Sequence, residues 1–247
     1  MKLGIIGGTG ALELFDVELS TAITTPFGAP SERPREIVVG GASVWFLARH
    51  GDPHRIPPHK VNYRANVYAL KTLGVDSVLA INAVGGISPS LSGGDLVVPD
   101  QLIDYTWGRA HTFSDGGSAA LRHVDFTRPF EGPLRTLMLR VGSEAEIALV
   151  AGGCTAVTQG PRLETAAEVR ALAAAGCDMV GMTSMPEAAL AREAGLDYAS
   201  LCVIANPAAG VDDAPITEAD IAAELDRAMV RVRAFLQRLL RAADGTG

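Results

Sequence analysis

The sequence predicts an α/β fold: a single domain with a mostly parallel, mixed sheet flanked by helices. Short apolar, β-branched runs alternate with helical patterns along the chain. The runs are apolar almost throughout, which is typical of strands that are covered on both faces. The 247 residues are 48% hydrophobic and no linker or charge block divides them, so one core can form. We therefore expect one domain over residues 1–247.

Seven segments have the length and apolar character of strands. They are Leu3–Ile6, Val44–Ala48, Ser77–Ile81, Asp95–Val98, Thr155–Thr158, Met179–Met182 and Ala199–Ile204.

Helical spacing of apolar residues separates the strands. It covers Val61–Leu73 and Leu163–Ala175, and each pattern stops at a glycine, Gly74 or Gly176, as is typical of a helix C-terminus. A C-terminal helix is expected over about 217–241, with one apolar face.

That last helix has a polar start. Thr217 precedes Asp220 in a pattern that resembles a capping box. The longest irregular stretch, about Tyr105–Pro133, has the length of a lid, an interface or a site wall.

Composition limits the function classes. The net charge of −7 disfavours binding to nucleic acid or to an anionic membrane. The sequence has no apolar run near 20 residues and no signal-peptide pattern, so we expect a cytoplasmic protein. Cys154, Cys177 and Cys202 lack metal or redox spacing and are expected to be reduced and structural.

A glycine-rich turn follows the first strand. In Gly7-Gly8-Thr9-Gly10 the backbone amides and the Thr9 hydroxyl can bind an anion. The spacing also resembles a dinucleotide fingerprint. The region about 20 residues further on, Thr24–Gly28, has neither the acidic residue nor the strand that such a unit needs, so we favour a simple anion.

A second anion signal lies in residues 49–64. Four basic side chains stand there against one acid, Asp52. The histidines His50, His54 and His59 have spacings compatible with a metal site, but the neighbouring cations favour phosphate over a divalent ion. A solvated basic loop is the plainer alternative.

Three further segments follow predicted strands, where ligands collect in open α/β sheets. They contain Asn82-Ala83, Met182-Thr183 and Asn206-Pro207. Each can also be read as ordinary turn chemistry. Glu164 is expected on the first turn of a helix, where capping alone would account for a carboxylate.

Six motifs in order resemble the trimeric purine nucleoside phosphorylase and methylthioadenosine phosphorylase family. The match spans roughly residues 3–205. The motifs are Gly7–Gly10, Thr25–Gly28, Ala48–Gly51, Lys60–Tyr63, Gly160–Arg162 and Met182–Glu187.

The resemblance implies a nucleoside phosphorylase-like fold, a homotrimer, and transfer of a pentosyl group from purine to phosphate with no metal or organic cofactor. Phosphate is then the co-substrate. The implied phosphate ligands are Thr9, Arg49, His50, Asn82, Ala83 and Thr183. The implied nucleoside contacts are Leu163, Glu164, Met182, Asn206, and His123 from a neighbouring subunit.

The base pocket departs from the methylthioadenosine branch of that family. The branch carries two carboxylates in a Thr-Asp-x-Asp segment, whereas this chain has Ala205-Asn206-Pro207-Ala208. Glu164 can accept from the N1–H of a 6-oxopurine, and the Asn206 amide can donate to O6 or N7. With Asn206, Glu164 and His50 as the catalytic residues, we expect cleavage of S-methyl-5'-thioinosine to hypoxanthine and 5-methylthioribose 1-phosphate.

Alternatives remain open at this point. Within the family they are a methylthioadenosine phosphorylase and an inosine or guanosine phosphorylase, because the sequence does not fix the 5' group. From other classes they are a nucleosidase that uses water, and a purine-binding protein without activity.

Overall fold

The structure is a computed structural model that describes residues 1–8, 16–39, 42–116 and 121–243. The strands of these residues form a single mixed sheet. They are β1 (Leu3–Gly7), β2 (Asp16–Ser20), β3 (Arg35–Val39), β4 (Ala42–Ala48), β5 (Ser77–Gly86), β6 (Leu96–Val98), β7 (Gln101–Asp104), β8 (Val150–Ala151), β9 (Cys154–Val157), β10 (Met179–Gly181) and β11 (Asp197–Pro207). The helices are α1 (Tyr63–Thr72), α2 (Pro133–Glu144), α3 (Ala166–Ala174), α4 (Ser184–Glu193) and α5 (Glu218–Ala243).

The sheet follows the order β2-β3-β4-β1-β5-β10-β9-β7, and β11 pairs with β5 and β6. Its centre is parallel: β1 pairs with β4 and β5, and β5 pairs with β11. Antiparallel pairs occur at β2–β3–β4, β5–β10 and β6–β11. This arrangement confirms the predicted fold class and aligns the carboxyl ends of β1, β4, β5 and β11 at one edge.

Two helical layers cover the sheet because successive strand residues point to opposite faces. Ile5 packs on the face covered by α2 and α5, whereas Ile6 packs on the face covered by α1 and α4. The α5 residues Leu225, Val232 and Phe235 are buried, as its predicted apolar face requires. Among the described residues, no helix is long and apolar enough to cross a membrane.

Caps define the helix ends. Gly74 (φ +78°) and Gly176 (φ +86°) adopt the left-handed conformation that ends α1 and α3, as predicted. The predicted start of α3 at Leu163 is wrong, because the Thr165 hydroxyl accepts from Glu168 N and the Glu168 carboxylate accepts from Thr165 N. This capping box begins α3 at Ala166. Glu164 therefore precedes the helix instead of lying on its first turn.

The predicted irregular segment is observed between Asp104 and Pro133, where the described residues form neither helix nor strand. Strands β2, β3, β7 and β8 and helix α2 were not predicted. Strands β2 and β3 lie at one end of the sheet order, and both contain charged residues, which interrupt an apolar pattern.

Candidate active site

A cavity of about 310 Å³ opens at the edge where β1, β4, β5 and β11 end. Ligands in open α/β sheets collect at such an edge. Eight of the predicted site residues line it: Arg49, His50, Ala83, Leu163, Glu164, Met182, Thr183 and Asn206.

Arg49 is the largest buried polar side chain in the cavity wall, with 1% exposure. Its Nε and Nη2 donate to the two carboxylate oxygens of Glu187 at 2.8 and 3.0 Å. Other guanidinium N–H groups donate to the carbonyls of Ile81 and Ile6. Burial lowers the pKa of Arg49, but the Glu187 charge outweighs it and holds the pKa above its usual value.

The arrangement differs from the sequence-based expectation that the fork of Arg49 faces phosphate. Glu187 occupies that fork and also accepts from the Tyr198 hydroxyl at 2.9 Å. Since four of the five N–H groups are engaged by these contacts, Arg49 can offer an anion one N–H of Nη1, the nitrogen that lies beside Gly8.

His50 is held as a neutral imidazole. Its Nδ1 lies 2.7 Å from the carbonyl oxygen of Ile56, which can only accept, so Nδ1 carries the proton. Burial, with a further contribution from Arg49, lowers the pKa of His50 to about 4. The Nε2 atom is therefore a hydrogen-bond acceptor at neutral pH. His54, which the sequence offered only as a metal-ligand alternative, also lines the cavity and stacks on His50 at 4.3 Å between ring centres.

Asn82 lies behind the cavity wall and organises Thr183. Its amide donates to Ser200 Oγ at 2.7 Å and accepts from Thr183 Oγ1 at 2.9 Å. Asn82 and Ser200 are both buried. The cavity surface at this point is formed by Ala83 and Thr183, with the Asn82 side chain fixing the Thr183 hydroxyl.

Glu164 is anchored by a residue that the sequence did not single out. Thr158 Oγ1 donates to Glu164 Oε1 at 2.6 Å, so Oε2 remains for a ligand. Thr158 comes directly after β9, and this position at the carboxyl end of a strand was the signal in the sequence that could have marked it as a site residue.

Asn206 reaches the cavity through an irregularity in β11. The register with β5 shifts between Ile204 and Asn206, and such a bulge re-aims a side chain. One N–H of the Asn206 amide donates to the Pro207 carbonyl at 2.6 Å, which leaves the other for a ligand. Met182 and Leu163 add apolar surface nearby, and Ile216 and Ile221 form an apolar wall before and within the first turn of α5.

Like Asn82, His123 is a predicted site residue that is not part of this wall: it is exposed and does not line the cavity of the single chain. Thr9 lies outside the described residues. The prediction that His123 closes a neighbouring subunit's site stays a prediction.

The metal alternative concerns the histidines His50, His54 and His59 and the neighbouring Asp52. The part of the chain that the structure describes has no group of three or more His, Cys, Asp or Glu side chains placed to hold an ion. Asp52 pairs with Arg35 at 2.8 Å.

The fold and this cavity define a purine-handling enzyme of the phosphorylase class, and comparison with known proteins gives the same class. The Phosphorylase superfamily model matches residues 2–241, and the chain belongs to this family. A probable S-methyl-5'-thioinosine phosphorylase from Xanthomonas campestris pv. campestris is 48% identical over 98% of both chains.

Two other relatives have related activities in their names. A probable 6-oxopurine nucleoside phosphorylase from Moorella thermoacetica is 40% identical over 92% of this chain and 87% of its own. The methylthioadenosine phosphorylase from Schistosoma mansoni, solved with adenine, superposes with a TM-score of 0.93 at 35% identity, covering 99% of this chain and 92% of that one.

Proposed function

We propose that this enzyme cleaves S-methyl-5'-thioinosine with phosphate, giving hypoxanthine and 5-methylthioribose 1-phosphate. The observation that carries the proposal is the pairing, in one cavity, of Glu164 and Asn206 with the polar group formed by Arg49, His50 and Thr183. The first pair matches a 6-oxopurine, and the second group suits an oxyanion. The relatives named above as thioinosine and 6-oxopurine phosphorylases support the same substrate class.

The base is held by complementary hydrogen bonds. Thr158 occupies one Glu164 oxygen, and the other accepts the N1–H of hypoxanthine. Asn206 donates to O6 or N7 as the N9–C1' bond breaks and its electron pair moves to the base. A donor placed where charge develops typically contributes about 2.7–4 kcal/mol to catalysis.

Phosphate enters beside His50. Because Nε2 is an acceptor at neutral pH, it accepts a hydrogen bond from the P–OH group of hydrogen phosphate. An unprotonated phosphate oxygen is then left to form the new bond to C1'. The remaining N–H of Arg49 donates to phosphate, and Ala83 and Thr183 form the adjoining wall, with Thr9 expected beside them. The Thr183 hydroxyl donates to phosphate only when it turns away from Asn82 Oδ1.

The 5' end meets an apolar wall. Ile216, Ile221 and Ala209 offer no side-chain polar group to a 5' hydroxyl, whereas a methylthio group would bury against them. This wall favours the methylthio nucleoside over inosine.

We also propose that the reaction needs neither a metal nor an organic cofactor and that the enzyme is a cytoplasmic homotrimer. Assembly finds support in Tyr105 and Trp107, which are exposed and line one cavity, since neighbouring exposed apolar residues mark interaction sites. The cytoplasmic location is proposed from the sequence alone.

Phosphate dependence separates this proposal from a nucleosidase. Release of hypoxanthine is measured with phosphate, without phosphate, and with phosphate plus a chelator. We expect release only with phosphate and no effect of the chelator. Full release without phosphate would make the protein a hydrolase, and loss on chelation would reject the metal-free reaction.

A further inference from the structure

Arg109 lies in the irregular segment between β7 and α2 and is buried, with 8% exposure. Its guanidinium donates to four backbone carbonyls. Nη1 donates to Met182 O at 2.8 Å and Met185 O at 2.6 Å. Nη2 donates to Thr158 O at 3.2 Å and Gln159 O at 2.8 Å.

The fifth N–H is also engaged, because Nε donates to the Gln159 side chain at 3.1 Å. Nη1 further approaches the Tyr63 hydroxyl at 3.3 Å, and that hydroxyl donates to Pro58 O at 2.9 Å. Among the described residues these acceptors include no carboxylate. Burial lowers the pKa of Arg109, and Tyr63 and Asp104 offset part of that effect. An arginine stays charged, so the hydrogen bonds of this buried cation go to carbonyl dipoles instead of water.

The acceptors belong to segments that form the cavity. Thr158 holds Glu164 in the base subsite. Met182 directly precedes Thr183 of the phosphate subsite, and Met185 follows Thr183 two positions later. Pro58 belongs to the loop that also brings His54 to the cavity. Arg109 does not itself line the cavity.

We infer that Arg109 is a positioning residue that fixes the base subsite relative to the phosphate subsite. The inference rests on the proposed function, because it takes those subsites as assigned above. In a displacement reaction the nucleophile and C1' must be aligned, and a misplacement of about 1 Å can cost roughly 10²-fold in rate. A side chain that fastens both segments to one planar group controls that alignment.

The position requires arginine. A lysine ammonium has three donors around one nitrogen and cannot reach acceptors on both sides of a planar fork. The Arg109→Lys variant therefore keeps the positive charge and loses most of the hydrogen bonds that join the two segments. The Arg109→Ala variant removes the charge and the hydrogen bonds, and it leaves space for a free guanidinium ion.

The experiment compares both variants with Arg122→Ala. Arg122 belongs to the same irregular segment and is exposed, and its Nη1 makes a long contact of 3.5 Å with the Glu193 carbonyl. The measurements are kcat, the separate Kd values for phosphate and hypoxanthine, the folded fraction by circular dichroism, and kcat in the presence of guanidinium.

For both Arg109 variants we expect kcat to fall about 10²-fold or more while each single-ligand Kd stays within about threefold. Guanidinium should restore kcat in Arg109→Ala at least tenfold and leave the kcat of Arg109→Lys and Arg122→Ala unchanged.

Unchanged kcat in a folded Arg109 variant would overturn the inference, as would a parallel weakening of both phosphate and hypoxanthine binding. Failure of both variants to fold would show a purely structural role and overturn it too. Failure of the proposed function would appear separately, as phosphate-independent turnover of the wild type.

Discussion

At the scale of single residues, Asn206 is the side chain proposed to set the choice of purine. In the proposed complex it provides a donor near O6 and N7, whereas a carboxylate there would repel O6 and accept from a 6-amino group. We expect Asn206→Asp to lower kcat/KM for methylthioinosine by about 10²–10³-fold. The ratio of kcat/KM for methylthioinosine to that for methylthioadenosine should fall.

The control is Asn206→Ala, which removes the donor without adding an acceptor. It should lower turnover of methylthioinosine while improving methylthioadenosine less than Asn206→Asp does. A ratio that does not move in Asn206→Asp would contradict the assigned role. A complete switch is not expected, since Pro207 fixes the backbone beside it.

His50 gives a residue-scale prediction about pH. Its pKa is lowered from 6.5 to about 4 in the folded protein, so the unfolded chain binds the proton more readily. The resulting stability is present above pH 6.5 and is lost as the pH falls toward 4. Its size is on the order of 3 kcal/mol.

The test is the free energy of unfolding at pH 4.5 and pH 7 for wild type and for His50→Asn, which cannot titrate. We expect the wild type to lose more stability between the two pH values than the variant does. Equal losses would mean that His50 is not held neutral by its burial and the charge of Arg49.

At the scale of elements, the start of α3 determines where Glu164 lies. The Thr165–Glu168 capping box ends the preceding loop at Thr165 and leaves Glu164 outside the helix, where it meets Thr158. Loss of an N-cap hydroxyl typically costs about 1 kcal/mol. Thr165→Ala should show that loss and also raise KM for methylthioinosine, because Glu164 is no longer held in place.

Thr217 is a matched control at the start of α5. Its hydroxyl accepts from Asp220 N at 3.1 Å, as the Thr165 hydroxyl does from Glu168 N. Thr217→Ala should lose similar stability, measured by denaturant unfolding, and should leave the Kd of hypoxanthine unchanged, because this base has no methylthio group to meet the wall at α5. Thr165→Ala should raise that Kd, and an equal rise in both variants would contradict the specific role of α3.

The same elements show what sequence could and could not predict. The central strands could be predicted from apolar runs, because a strand that is buried on both faces is apolar at nearly every position. The partner of Arg49 was missed, since Glu187 is 138 positions away and no local pattern joins them. The start of α3 was predicted too early because the apolar Leu163 fits helical spacing, whereas the capping box ends the loop two residues later.

At the scale of the whole molecule, the expected trimer gives the exposed aromatic residues a role. Trp107 is 72% exposed and lies beside a second cavity that shares Glu164 with the first. We expect Trp107→Lys to weaken assembly and lower activity. Val230, which is 73% exposed on α5, provides the control Val230→Lys, which should remain assembled.

Mass in solution is measured by light scattering, together with activity at the same concentration. A trimeric, fully active wild type and control with a smaller, less active Trp107→Lys would agree with the proposal. A wild type that is monomeric and fully active would contradict shared sites, including the one assigned to His123.

The most direct test of the central claim is a side-by-side assay of the wild type on methylthioinosine, methylthioadenosine and inosine, each with and without phosphate. The account predicts phosphate-dependent cleavage with the highest kcat/KM on methylthioinosine, because Glu164 and Asn206 match the 6-oxopurine and Ile216 and Ile221 match the methylthio group. A site built to bind a polar group rejects an analogue without it by roughly 10⁴-fold or more. A higher kcat/KM for methylthioadenosine than for methylthioinosine would contradict the account.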